Sequence, residues 1–156
     1  MEQFFISNSD FILRLVIALL LGAFIGVERF WVHKEAGIKT HALVSMGSAL
    51  FVIISEIIVQ KYSGISGLNP IMMASNIIIG IGFLGAGSII FQNSRLRGLT
   101  TAGGLWLTAG IGMAAGFGLY GLAAISTVLV LLILIVIFII EKPIRKISGE
   151  NEDGAS

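Results

Sequence analysis

The sequence predicts an all-α fold: a polytopic transmembrane helix bundle of five spans, with the N-terminus outside and the C-terminus cytoplasmic. Three observations carry that prediction. Of 156 residues, 56% are hydrophobic and 12% charged, against about 25% charged in a soluble domain. No Asp, Glu, Lys or Arg falls between Tyr62 and Ser94, or between Gly98 and Ile140. As one helix, the 43 residues of the second tract would extend roughly 65 Å, twice a hydrocarbon core of about 30 Å, so the tract must fold back within the bilayer. Finally, the Lys and Arg of the connections sort eight to one across the spans, and the basic side is the cytoplasmic one.

The spans follow in order from apolar runs near 20 residues long. The first covers about Phe11 to Val27 and continues into Phe30-Trp31. The second is Ala42 to Gln60, the third Ile71 to Phe91, the fourth Leu99 to Gly116 and the fifth Leu122 to Ile140. Asn69-Pro70 supplies an N-cap and a first-turn proline to span three. Gly116 to Gly121 is the hinge between spans four and five, and Pro143 follows span five among Lys142, Arg145 and Lys146. Residues 1–10 are thus an external N-terminus, 11–141 the transmembrane domain, and 142–156 a basic and then disordered cytoplasmic tail. Glu2 and Asp10 stand where a signal peptide has its basic region, so the first span is expected to be retained.

Composition also excludes several functions. There is no cysteine, hence no disulfide framework, thiolate metal site or Cys nucleophile. A net charge of +1 without a basic run makes nucleic acid an unsuitable partner. Gly80-Ile-Gly82-Phe-Leu-Gly85 matches G-x-G-x-x-G. It lies inside an uncharged span with no βαβ context, so it reads as helix packing and not dinucleotide binding. Gly22 and Gly26 on span one, Gly82 and Gly85 on span three, and Gly112 and Gly116 on span four are the expected close-packing positions. Spans one, three and four should therefore form the tight core, with the Leu/Ile/Val-rich span five outside.

Two ionisable residues fall inside spans. Arg14 and Glu56 each lie about one turn from the outer end of antiparallel neighbours, which predicts an Arg14–Glu56 ion pair. On span two, His41, Ser45, Ser48, Ala49, Val52 and Glu56 fall within about a 100° sector. That stripe reads either as a hydrophilic seam for a cation or as interhelical bonding around one salt bridge. Glu56 is the candidate metal ligand. A lone carboxylate is sparse for Mg²⁺, which takes oxygen ligands, unless an oligomer assembles a ring of them. At the cytoplasmic face Glu28, Arg29, Thr40, His41, Arg97, Thr100 and Thr101 form a polar cluster, and Thr100 and Thr101 are expected to cap span four. His33, Glu28 and His41 match no metal spacing. No hydrolase or zinc-protease motif is present, so no catalytic residues are assigned and the protein is not expected to be an enzyme.

These motifs occur in a recognisable order: Gly22-Ala-Phe-Ile-Gly26-Val-Glu28-Arg29, Ala36-Gly37-Ile-Lys39-Thr40-His41, Gly80-Ile-Gly82-Phe-Leu-Gly85-Ala-Gly87, Arg97-Gly98-Leu-Thr100-Thr101-Ala102 and Leu105-Trp106-Leu-Thr108-Ala109-Gly-Ile-Gly112. The set resembles the MgtC/SapB family of bacterial inner-membrane proteins over roughly residues 15 to 140. The resemblance implies a multi-pass protein of the inner membrane, linked to magnesium homeostasis, low-magnesium and acid stress and, in pathogens, virulence. It implies two modes of action. One is a regulator working through helix–helix contacts, as a homo-oligomer or on a partner such as the F-type ATP synthase. The other is a Mg²⁺ or other cation transporter using the span-two seam. The resemblance also carries departures. Asn69-Pro70-Ile71-Met72 lacks the charges of the Asp-Pro-x-Arg that many members carry before span three. Gly103-Gly104 stands where alanine-like residues are usual. The soluble C-terminal domain of virulence-type members is not expected in a chain that stops soon after span five.

Overall fold

The computed structural model describes residues 8–62, 70–92 and 95–147. Among these residues the chain forms five helices: α1 (Ser9–Trp31), α2 (Ile38–Lys61), α3 (Pro70–Gly87), α4 (Leu99–Gly116) and α5 (Tyr120–Ile147). By length and composition, three described segments are long and apolar enough to cross a membrane: α1, α2 and the Tyr120–Ile140 part of α5. The apolar part of α3, Ile71–Gly87, is shorter, and the apolar residues of α4 are diluted by Gly and Thr. The expected Asn69 cap and the tail beyond Ile147 lie outside the described residues.

The helices alternate in direction. Gly26 of α1 lies against Ile38 at the start of α2, and Gly22 against His41 and Ser45, so α1 and α2 form an antiparallel pair. Helix α4 runs parallel to α2. Thr108 meets His41, Gly112 meets Ser45, and Gly116 meets Ala49, advancing four residues on both helices each time. Gly85, late in α3, touches Ala102, early in α4, so α3 returns the chain between them. Helix α5 packs on α4 and α1 and exposes most of its Leu, Ile and Val side chains.

The centre of the bundle is therefore α1, α2 and α4, which corrects the expectation that span three would join the core. Gly80, Gly82 and Gly87 of α3 have no neighbour within 4 Å of where a Cβ would stand. The close contacts come instead from the Ser/Ala stripe of α2, whose residues are almost as small as glycine. Ala18, Ile25, Ala49, Ile111 and Ala115 are buried at this junction.

Between α3 and α4 the chain forms a two-stranded antiparallel hairpin, β1 (Ile90–Gln92) and β2 (Arg95–Arg97), paired Ile90↔Arg97, Phe91↔Leu96 and Gln92↔Arg95. The sequence reading had carried span three to Phe91. The helix ends at Gly87 because Ser88 and Ile89 close it with bonds to Gly85 and Ala86, and β-branched and aromatic residues then favour strand. Gly98, at φ 86°, turns the chain from β2 into α4. A Cβ there would stand 1.9 Å from Ser88 O, so only glycine closes the hairpin stem. Gly98 is also the α4 N-cap and makes no side-chain bond, so Thr100 and Thr101 do not cap the helix as expected. Helix α5 runs on through Pro143 to Ile147.

Candidate functional site

The polar groups sort into two layers at opposite ends of the central bundle. At the first, the C-terminal end of α1, the start of α2 and the first half of α4 carry buried Arg29, His41, Thr101 and Thr108 and half-buried Glu28. Arg29 and Glu28 pair through one guanidinium edge and both carboxylate oxygens, Nη2 donating to Oε1 at 2.7 Å and Nε to Oε2. Neighbours on a helix do not normally face each other, and here Arg29 must curl back because burial at 3% exposure leaves it little water. Its charge lies within electrostatic reach of His41. Thr40 and Thr100 are exposed and stand apart from this group, while Arg97 is half-buried.

His41 is fully buried and binds across to α4. Its Nδ1 is 2.8 Å from Thr108 Oγ1, which itself donates to Gly104 O at 2.8 Å. Either partner can supply the hydrogen of the His41–Thr108 bond, depending on the imidazole tautomer. Besides this bond, His41 Nε2 is buried without a hydrogen-bond partner, as is Ser45 Oγ one turn on. Thr108→Val should leave the buried His41 Nδ1 unpaired and cost about 1–3 kcal/mol. Thermal unfolding in detergent checks this, with Thr108→Ser expected to keep most of the stability. A Val variant as stable as the parent would mean that the bond contributes nothing.

At the opposite end Arg14 gathers three elements. Nη1 donates to Glu56 Oε2 at 2.7 Å on α2 and to Gly116 O at 2.8 Å on α4, while Nη2 pairs with Asp10 Oδ2 at 2.8 Å. The availability of Gly116 O follows from how α4 ends. Leu119 N bonds Ala114 O and Gly118 N bonds Ala115 O, with Gly118 at φ 73°. This Schellman turn uses those two carbonyls and leaves that of Gly116 to the guanidinium, a cation at the negative end of a helix dipole. Gly118 lies over Arg14, whose Cζ is 3.8 Å from where its Cβ would be.

Between the layers the α2 stripe is closed. At Gly112 a Cβ would stand 2.1 Å from Ser45 O, and at Gly116 2.8 Å from Ala49 Cα. Ala49 and Val52 are fully buried. The stripe that the sequence marks as a possible seam is thus polar at both ends and sealed by packed backbone in the middle. Among the packing glycines named from sequence, Gly22, Gly26, Gly112 and Gly116 make these close approaches and Gly85 makes an ordinary contact. Gly82 meets nothing within the chain. Among the described residues, no three His, Asp or Glu side chains gather as a metal site. Ser45 belongs to the stripe that the sequence marks, whereas Thr108 is not among the site residues it singles out. The signal was present in the i, i+3/i+4 spacing of Thr101, Gly104, Thr108, Gly112 and Gly116, which puts the threonines on the glycine face of α4.

Fold and site together define a helical membrane protein whose core is held by glycine contacts, with a buried polar group at one end and a half-buried charged group at the other. The chain belongs to the MgtC family, whose model matches residues 15–142. It is 42% identical over 124 residues to "Putative magnesium transporter YhiD" of Escherichia coli (strain K12), covering 78% of this chain and 58% of that protein. It is 42% identical over 120 residues to Protein MgtC of Salmonella typhimurium (strain LT2), covering 77% of this chain and 49% of the relative. Protein MgtC of Brucella abortus is 44% identical over 113 residues, or 72% of this chain and 45% of its own length. The chain spans about half the length of the curated relatives it matches. No solved structure matches it.

Proposed function

We propose that this chain is a non-enzymatic, multi-pass protein of the bacterial inner membrane, in which all five helices cross, the N-terminus is outside and the C-terminus cytoplasmic. Its role in this reading is in magnesium homeostasis under low-magnesium or acid stress, as a regulator that touches membrane ion or proton machinery through its helices. The alternation of helix directions supports five crossings. The eight-to-one sorting of Lys and Arg supports the orientation. Family membership and the relative named for magnesium transport support the physiological setting.

The observation that carries the regulatory reading is the sealed stripe. A transporter would use the span-two seam, with Glu56 as its ligand, and in one chain Ala49, Val52, Gly112 and Gly116 leave that path no space. The surface left unused is α3, where Gly80 and Gly82 lack neighbours and Phe83 is 81% exposed. Benzoylphenylalanine at position 83, irradiated in cells starved of magnesium, tests the proposal. The expected product is an adduct to a second copy or to a membrane-embedded subunit of an ion-translocating complex such as the F-type ATP synthase, identified by mass spectrometry. Only lipid or intrachain products would overturn it.

A further inference from the structure

Helices α3 and α5 both pack on α4, and between them the surface of α4 forms the floor of an apolar groove of about 160 Å³. Ile78 and Ile81 of α3 make one wall and Val130 of α5 the other, over a base of Trp106, Leu107 and Gly110. Gly110 has no neighbour within 4 Å of where a Cβ would stand, so the base dips there. An apolar space of about 150 Å³ takes one benzene. The groove therefore has the volume of a phenyl ring, and Trp106 offers that ring an aromatic partner.

Helix α3 carries such a ring on its other side. Among the described residues Phe83 is 81% exposed. At about 100° per residue it stands roughly 160° round the helix from Ile81, so the groove of its own chain lies behind it. Gly80 and Gly87, three residues before Phe83 and four after, share its face. Neither has a neighbour within 4 Å of where a Cβ would stand. Phe83 is thus a knob between two gaps, and the gaps let a second backbone come close.

Knob and groove also match in depth. Gly85 touches Ala102 on the antiparallel helix. Ile81, four residues before Gly85, is therefore level with Trp106, four after Ala102. The Phe83 Cα lies two residues, about 3 Å, from that level. Side chains on a helix lean toward its N-terminus, which carries the ring back to it. Copies that cross a bilayer in one orientation share their depths, so Phe83 of one copy meets the groove of the next without sliding. A lipid tail has no such fixed depth and no need of the flanking glycines.

We propose that the groove docks a second copy of this chain: Phe83 of one copy seats between α3 and α5 of its neighbour. Knob and groove are different surfaces, so the contact is head-to-tail and repeats as a ring or row in the membrane plane. This rests on the readings of α3 as a contact surface and of α3 and α4 as crossings. The chain has no cysteine, so two tagged copies, one with F83C and one with L107C, are co-expressed and treated in membranes with a short bis-maleimide. Circular dichroism and gel filtration keep only folded variants. The expected product is the mixed dimer bearing both tags, at least tenfold above either self-linked dimer. Copies fused to a fluorescent protein and counted by photobleaching in proteoliposomes supply a second readout. The parent should bleach in several steps, Phe83→Ala mostly in one, and Phe24→Ala, at an exposed position of α1, like the parent. An F83C self-dimer as the main product overturns the docking in favour of a symmetric contact. No dimer of any kind, with one-step bleaching of the parent, also overturns it. If benzoylphenylalanine at position 83 then still marks another membrane protein, the contact-surface reading stands without the second copy. Lipid adducts alone at that position reject both.

Discussion

Gly112→Ala should strip the bundle of much of its stability, whereas Gly103→Ala, nine residues earlier on the same helix, should slightly increase it. At Gly112 the new methyl would stand 2.1 Å from Ser45 O and 2.7 Å from its Cα, atoms of a helix backbone that cannot rotate away. Helix α4 would have to withdraw from α2, which also pulls Thr108 from His41 and Gly116 O from Arg14. Overpacking a tight core costs about 1–3 kcal/mol and more where backbone must move, so a loss at or above that range is expected. At Gly103 a Cβ meets nothing within 4 Å, and removing glycine's backbone freedom is worth about 0.5–1 kcal/mol. Unfolding in mixed detergent micelles reads both changes. Equal effects of the two substitutions would mean that α2 and α4 do not approach as described.

Arg14→Met carries the second large effect. It removes the cation from Glu56 and the donor from Gly116 O at once, and releases Asp10. A buried pair broken on one side costs about 3–5 kcal/mol, and a surface pair about 0–1 kcal/mol. The two side chains are 18% and 27% exposed, which puts the expected loss between these, at about 2–3 kcal/mol. Glu56→Met alone should cost less, because Arg14 keeps Asp10 and Gly116 O. The double variant should be more stable than the two single losses added together, since the stranded carboxylate is gone. A double-mutant cycle on unfolding free energies measures the coupling, and strict additivity would mean that Arg14 and Glu56 do not interact.

Much of the fold was legible because lipid imposes simple arithmetic. Charge-free tracts and apolar runs located the helices, and helical spacing put His41, Ser45, Ala49 and Val52 on one buried face of α2. Depth counting brought Arg14 opposite Glu56, and in the structure these are 2.7 Å apart. The core partners were less legible. Gly82 and Gly112 look alike in sequence, yet one faces open space and the other a helix backbone, because a glycine records that approach is allowed and not that it occurs. The hairpin was hidden for a different reason. Ile90-Phe91 and Leu96 are apolar enough to prolong a span, and hydropathy does not distinguish a short strand from the end of an apolar helix. The Gly116 carbonyl that binds Arg14 belongs to no side chain, and it became a site only through the turn that leaves it unpaired.

The central claim is that the stripe from His41 to Glu56 is a packing surface and not an ion path. Mg²⁺ entry into proteoliposomes loaded with a magnesium-sensitive dye, comparing the chain with its Glu56→Gln variant, tests it most directly. The account predicts entry no faster than in empty vesicles for both forms, with folding checked in the same preparation. Protein-dependent Mg²⁺ entry that Glu56→Gln abolishes would contradict it.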